Sequence, residues 1–181
     1  MAAASSNQQS NDGTGRHLDQ DIAQRMVDEA IQAGATYSEV RLVSNQNTSI
    51  SMRDGQVRNA ISGLDVGATL RCLVNGSWGV HSTTDLQALK SQVEATVNLA
   101  SSVAQRRAKE DSAVELAEIP ISTTDVHWRA KKDIRDISMQ QKVDVLEEFD
   151  SFIRTDERIV SVNTGFTDEH IEMELTTSEG M

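Results

Sequence analysis

The stretch YSEVRLVSNQNTSISMRDGQVRNAISGLDVGATLRCLVNGSWGVHS, residues 37–82, decides the fold. It contains Asp54-Gly55 and Asn75-Gly76, dipeptides that adopt the positive-φ geometry of tight hairpin turns. Between them, Ser62-Gly63-Leu64-Asp65-Val66-Gly67 reads as a loop or bulged crossover. The punctuation predicts short antiparallel strands over 37–43, 49–53, 56–61, 68–74 and 77–82. Tyr37, Val40 or a neighbour, and Leu42 are expected on one buried face, and Ile50 and Met52 inward in the next strand.

Outward from this meander the periods change to helical ones. Leu18 to Ala33 places Ile22, Ala23, Met26, Val27, Ala30 and Ile31 on one stripe, with Gly34 as its stop. After capping candidates at residues 82–85, a second helix runs to about Arg106 on Leu86, Leu89, Val93, Val97, Ala100 and Val103 or Ala104. Residues 107–137 hold the only proline, Pro120, show no sustained period and read as an irregular arm. A third helix is predicted from Ser138 to about Arg154 on Met139, Val143, Leu146, Phe149 or Asp150, and Ile153. Strands at 159–166 and 171–177 follow, joined by a turn at Asp168-Glu169. Ile171, Met173 and Leu175 share one face of the last strand, and Glu172 and Glu174 the other. The expected class is α+β: a mostly antiparallel sheet of six or seven strands with about three helices packed on one face. Residues 1–16, rich in Ala, Ser, Asn and Gln, read as a disordered tail before a domain over 17–181.

Gly34–Arg41, Arg53–Val57 and Asp65–Val80, in this order and spacing, resemble the amino-terminal region of the TldD/PmbA family. The similarity continues past Asp85 to Glu179-Gly180. That family comprises metalloproteases and their paired subunits, often labelled modulators of DNA gyrase. The resemblance implies a homo- or heterodimer of TldD/PmbA-type chains acting on unfolded peptide. It also implies a divalent metal, zinc, held by His-Glu-x-x-x-His in a later domain. Here the histidines are His17, His81, His127 and His170, and none precedes a glutamate, so no catalytic, cofactor-binding or metal residue carries over. This chain is therefore expected to be a non-catalytic amino-terminal domain, with the natural gene continuing past Met181. The alternative is a stand-alone interaction module that pairs through a sheet edge or dimer face.

The residues add constraints of their own. Net charge is −11, and residues 138–181 carry 3 basic against 11 acidic side chains, a surface that repels phosphate backbones. No nucleic-acid partner is expected. No apolar run is long enough for a bilayer, and Met1–Ser10 is not a signal peptide, so a soluble cytoplasmic protein is expected. Cys72, the single cysteine, reads as a buried hydrophobe. His81, beside Trp78, has no companion at metal spacing. His170, flanked by Asp168, Glu169 and Glu172, reads first as a solvated acidic hairpin and second as a cation or small-molecule site. Trp128 with Arg129, Lys131, Lys132 and Arg135 is the one basic and aromatic cluster, and its expected role is docking of Trp128 into this domain or another.

Overall fold

A computed structural model of the protein describes residues 20–107, 112–128 and 130–180. The predicted tail and Leu18 lie outside them. The described elements are α1 (Gln20–Gln32), β1 (Tyr37–Arg53), β2 (Gln56–Val74), β3 (Ser77–Thr83), α2 (Leu86–Arg106), α3 (Met139–Ile153) and β4 (Asn163–Thr177), with a short 3-10 turn at Ile134–Asp136 before α3.

The class is α+β, and every strand pairing is antiparallel, in the order β3-β2-β1-β4. Four strands replace the six or seven expected, because three of them run straight through positions that read as breaks. Residues 44–48 of β1 hold no apolar side chain, yet they pair with the 62–66 segment of β2, Asn45 with Asp65 and Asn47 with Gly63. Ladder hydrogen bonds belong to the main chain, so a polar run can extend a strand whose ends are fixed by packing. Likewise Asp168 and Glu169 lie inside β4, opposite Thr48 and Asn47, and form no turn. The two predicted hairpin turns are present, with φ of 52° and 75° at Asp54 and Gly55, and 47° and 71° at Asn75 and Gly76.

All three helices cover the face of β1 that carries its even-numbered side chains. Val40 and Leu42 join Leu70 and Cys72 of β2 beneath α1 (Ala23, Met26, Val27, Ala30) and α2 (Leu89, Val93, Val97, Ala100). Ile50 and Met52 form a second core with Val143 and Leu146 of α3 and Phe166 of β4. Tyr37 points to the opposite face from Val40 and Leu42, since side chains alternate along a strand. Ile31, expected in the α1 stripe, is exposed, and so is Val103 of α2.

Local chemistry sets the helix ends. Asp85 accepts the Ala88 amide at 3.1 Å. Ser138 and Gln141 form a reciprocal capping box at the start of α3. Beyond α2, Arg107 reaches back to the β2–β3 turn, donating to the carbonyls of Asn75 and Gly76 and to Ser77 Oγ at 2.9–3.1 Å. Gly76 O also accepts the Val114 amide, which starts the arm on that hairpin tip. From there residues 112–128 contain no helix or strand.

Candidate functional site

Between the two cores the helix-covered face of the sheet turns polar. Ser44, Gln46 and Thr48 of β1 stand opposite Glu172, His170 and Asp168 of β4. Lys142 crosses this strip from α3, its Nζ 2.8 Å from Asp168 Oδ2 and donating to Thr48 Oγ1 at 3.1 Å. The two charged side chains are only 7% and 10% exposed. Neither Asp168 oxygen has an aligned hydrogen-bond donor among the described residues, so charge attraction holds the contact. In a low-dielectric site that attraction opposes the cost of desolvating both groups, and removing either partner would leave a buried charge uncompensated.

One step along, His170 Nε2 lies 3.1 Å from Glu172 Oε1, and Arg135 approaches the same oxygen at 3.4 Å. Arg135 is held in turn by Asp133, whose carboxyl its hydrogen bonds bring down to about 2. The residues grouped in sequence are thus divided by the strand. Asp168, His170 and Glu172 face the helices, Glu169 faces away, and Asp168 and Glu172 each already have a cation. This is a pinned seam and not a substrate-facing acid–base pair. Among the described residues no group of three or more His, Cys, Asp or Glu is placed to hold a metal ion, so the zinc implied by the resemblance does not fit here.

The other sequence candidates are scattered. His81 lies in β3 opposite Leu70, half-buried, away from His170. Cys72 is fully buried with Ser38 Oγ 3.8 Å from its sulfur, and burial pushes its thiol pKa up, which keeps it protonated and unreactive. Trp128 is 97% exposed, so it does not dock into this domain as one alternative had it. Arg129 lies outside the described residues, and Arg135 is engaged by Asp133 and Glu172.

The open face holds a cluster that the sequence reading missed. Glu39 accepts from Arg71 at 2.8 Å and from the Tyr37 hydroxyl at 2.9 Å. The Arg71 guanidinium lies 4.2 Å from the Trp78 ring centre, and Tyr37 meets the same ring edge-on at 5.9 Å. Partial burial, then the Glu39 hydrogen bond, raise the Tyr37 phenol to about 12. Counting back from Asn75-Gly76 would have placed Trp78 beside Leu73, but Glu39 meets Arg71 only through the β1–β2 register. Nearby, an open depression of about 590 Å³ is lined by Arg41, Val43, Thr69, Ser82 and Thr84.

Comparison with known proteins bears on which of these features matter. Residues 38–104, from β1 through most of α2, match the family profile described as PmbA/TldA metallopeptidase domain 1. Over these residues the chain is similar to a TldD/PmbA first domain. The chain is 28% identical over 151 residues to the metalloprotease slr0863 of Synechocystis sp., covering 82% of this chain and 31% of that protein. A candidate DNA gyrase modulator from Bacteroides thetaiotaomicron superposes with a TM-score of 0.73 at 24% identity, over 89% of this chain and 37% of its own. TldE from Thermococcus kodakarensis gives 0.68 at 12% identity, over 88% and 35%. At these identities the two structures establish the fold. The chain spans about a third of the length of the relatives it matches.

Proposed function

We propose that this chain is the amino-terminal, non-catalytic domain of a TldD/PmbA-type metallopeptidase. It forms part of the substrate-cleft wall and of the subunit interface around a zinc site supplied by a different domain. The first-domain match at residues 38–104, combined with a metalloprotease-named relative of which this chain covers 31%, carries the reading. The donor chemistry agrees with it, since Asp168 and Glu172 are occupied by Lys142 and Arg135. Surfaces for neighbours are present: Phe149 and Phe152 on the outer side of α3 are 59% and 76% exposed, with Val145 on the same stripe. The domain is proposed to span residues 17–181, to work in the cytoplasm, to pair with a TldD/PmbA-type chain and to hold unfolded peptide. No described helix is long and apolar enough to cross a membrane.

Two measurements test this reading. Purified chain incubated with a quenched fluorescent unfolded peptide is expected to show no hydrolysis; chelator-sensitive cleavage would overturn the non-catalytic assignment. The reading frame beyond the Met181 codon and the intact mass of the protein from its source cells are expected to reveal a longer product carrying His-Glu-x-x-x-His, or a companion chain that does. A lone product ending at Met181 would favour the second reading, a stand-alone interaction module, to which the exposed Trp128 and α3 aromatics also lend support.

A further inference from the structure

We propose that the open depression on the helix-free face of the sheet is a binding site for a small apolar monocarboxylate, with the Arg41 guanidinium holding the carboxylate and Val43 meeting the apolar body. The inference goes beyond the peptidase-domain reading and does not rest on it.

The depression arises from the register of the sheet. Across the open face, Leu175, Arg41, Thr69 and Ser82 form one cross-strand row, and Met173, Val43 and Gly67 form the next. Gly67 brings no side chain to its row and so opens the floor of a hollow that Arg41, Val43, Thr69, Ser82 and Thr84 surround. A Cβ at Gly67 would meet only Thr83 O within 4 Å, at an ordinary contact distance of 3.6 Å, so the space above it is unfilled. The hollow measures about 590 Å³, which admits a molecule the size of an amino acid as well as a bare ion.

The lining then selects the occupant. The neighbouring arginine of the open face, Arg71, is taken up by Glu39 and the Trp78 ring, whereas Arg41 has no hydrogen-bond or ion-pair partner among the described residues. The acids that flank the lining residues in sequence are engaged elsewhere: Glu39 by Arg71 and Tyr37, Asp65 by Asn47, and Asp85 by the Ala88 amide. Thr69 Oγ1 and Ser82 Oγ lie 3.0 Å apart, and whichever of them donates, the other keeps its O–H for a ligand. Thr84 adds a further hydroxyl, and no carboxylate lines the hollow. A guanidinium fork beside free hydroxyls recognises an oxyanion. Two features favour a carboxylate over a phosphate. Glu39 stands on the same face two residues from Arg41, about 7 Å along the strand, and opposes a dianion more than a monoanion. The ground on the β4 side of Arg41 is apolar, with Val43 in the wall and Met173, 60% exposed, opposite it. A carboxylate on a small aliphatic body matches both halves, and a free acid and the carboxyl end of a chain offer that same chemistry.

The test titrates the full chain, isotope-labelled for NMR, with N-acetyl-leucine, N-acetyl-leucinamide, inorganic phosphate and the tripeptide Ala-Ala-Leu. N-acetyl-leucine is expected to shift the amides of Val43, Gly67, Thr69, Ser82 and Thr84 and to bind at least tenfold more tightly than its amide or phosphate. If the tripeptide binds more tightly still, the natural source is the end of a chain; if it binds equally or less well, the source is a free acid. Arg41→Gln removes the cation from an exposed side chain and is expected to weaken binding at least tenfold, while Arg58→Gln, at an equally exposed arginine near the start of β2, leaves it unchanged. Gly67→Val fills the floor and is expected to abolish binding; should that variant fail to fold, the two arginine variants decide. Equal binding of the acid and its amide, phosphate binding as tightly as N-acetyl-leucine, shifts confined to other residues, or equal affinity in the Arg41 and Arg58 variants would overturn the proposal and leave the domain assignment standing.

Discussion

Gly79→Ala tests how tightly α2 lies on β3. A Cβ at this position would sit 2.3 Å from Thr96 O and 3.0 Å from the Ala100 amide nitrogen, both main-chain atoms of α2. Restoring ordinary contact at about 3.5 Å requires helix and strand to separate by roughly 1 Å. Overpacking of that kind costs about 1–3 kcal/mol. Gly79 has no positive φ, so alanine there incurs no backbone strain and gains about 0.4–1 kcal/mol by restricting the unfolded chain. The net expectation is a loss of about 1–2 kcal/mol, or a melting temperature lower by about 2–8 °C for a domain of this size. Gly165→Ala is the control, because its nearest atom would be Ile50 O at 3.8 Å, and the same chain-entropy gain should appear there unopposed. Urea unfolding followed by circular dichroism reads both variants. If Gly79→Ala is as stable as Gly165→Ala or more so, the close approach of α2 to β3 is refuted.

Three further outcomes are expected. Tyr37 is the single tyrosine, so its ionisation near 295 nm should have its midpoint at about pH 12 in the folded protein and revert to the ordinary range in denaturant. Because the folded value is the higher one, the stability linked to the protonated phenol is complete below about pH 10 and fades as pH climbs through 12. Lys142→Met strands a buried Asp168 and should cost about 3–5 kcal/mol, whereas Lys142→Met with Asp168→Leu should recover most of it in a double-mutant cycle. Ser138→Ala removes half of the capping box and should lower stability by about 1 kcal/mol in the same unfolding assay, with no change in the Tyr37 midpoint.

What the chain reveals of itself divides along the range of the interactions. The turns at Asp54-Gly55 and Asn75-Gly76 and the stripe Leu89-Val93-Val97-Ala100 are local, and each lies where its residues place it. Strand length was illegible at 44–48 and 62–67 because main-chain pairing there draws on a neighbouring strand and leaves no apolar alternation to read. In β4 the alternation was read correctly, but which row meets the helices was not in it. Ile171 and Met173 face outward, and the acidic row is tolerated inside because Lys142 and Arg135 arrive from elements distant in sequence. The Glu39–Arg71–Trp78 stack required a register that only the folded sheet supplies.

The polar seam at Ser44–Thr48 has a consequence for how the molecule comes apart. With one oily reservoir under α1 and α2 and another under α3, and charged or hydroxyl groups between them, little apolar contact ties the fate of one end to the other. Among the described residues the α3 cluster has four buried members against fifteen in the α1–α2 cluster, so the α3 end is the weaker of two thermal zippers on a shared rail. Amide exchange should therefore fall into two tiers along β1 itself, faster around Ile50 than around Val40. α3 can then peel away and return many times before the sheet beneath α2 opens once.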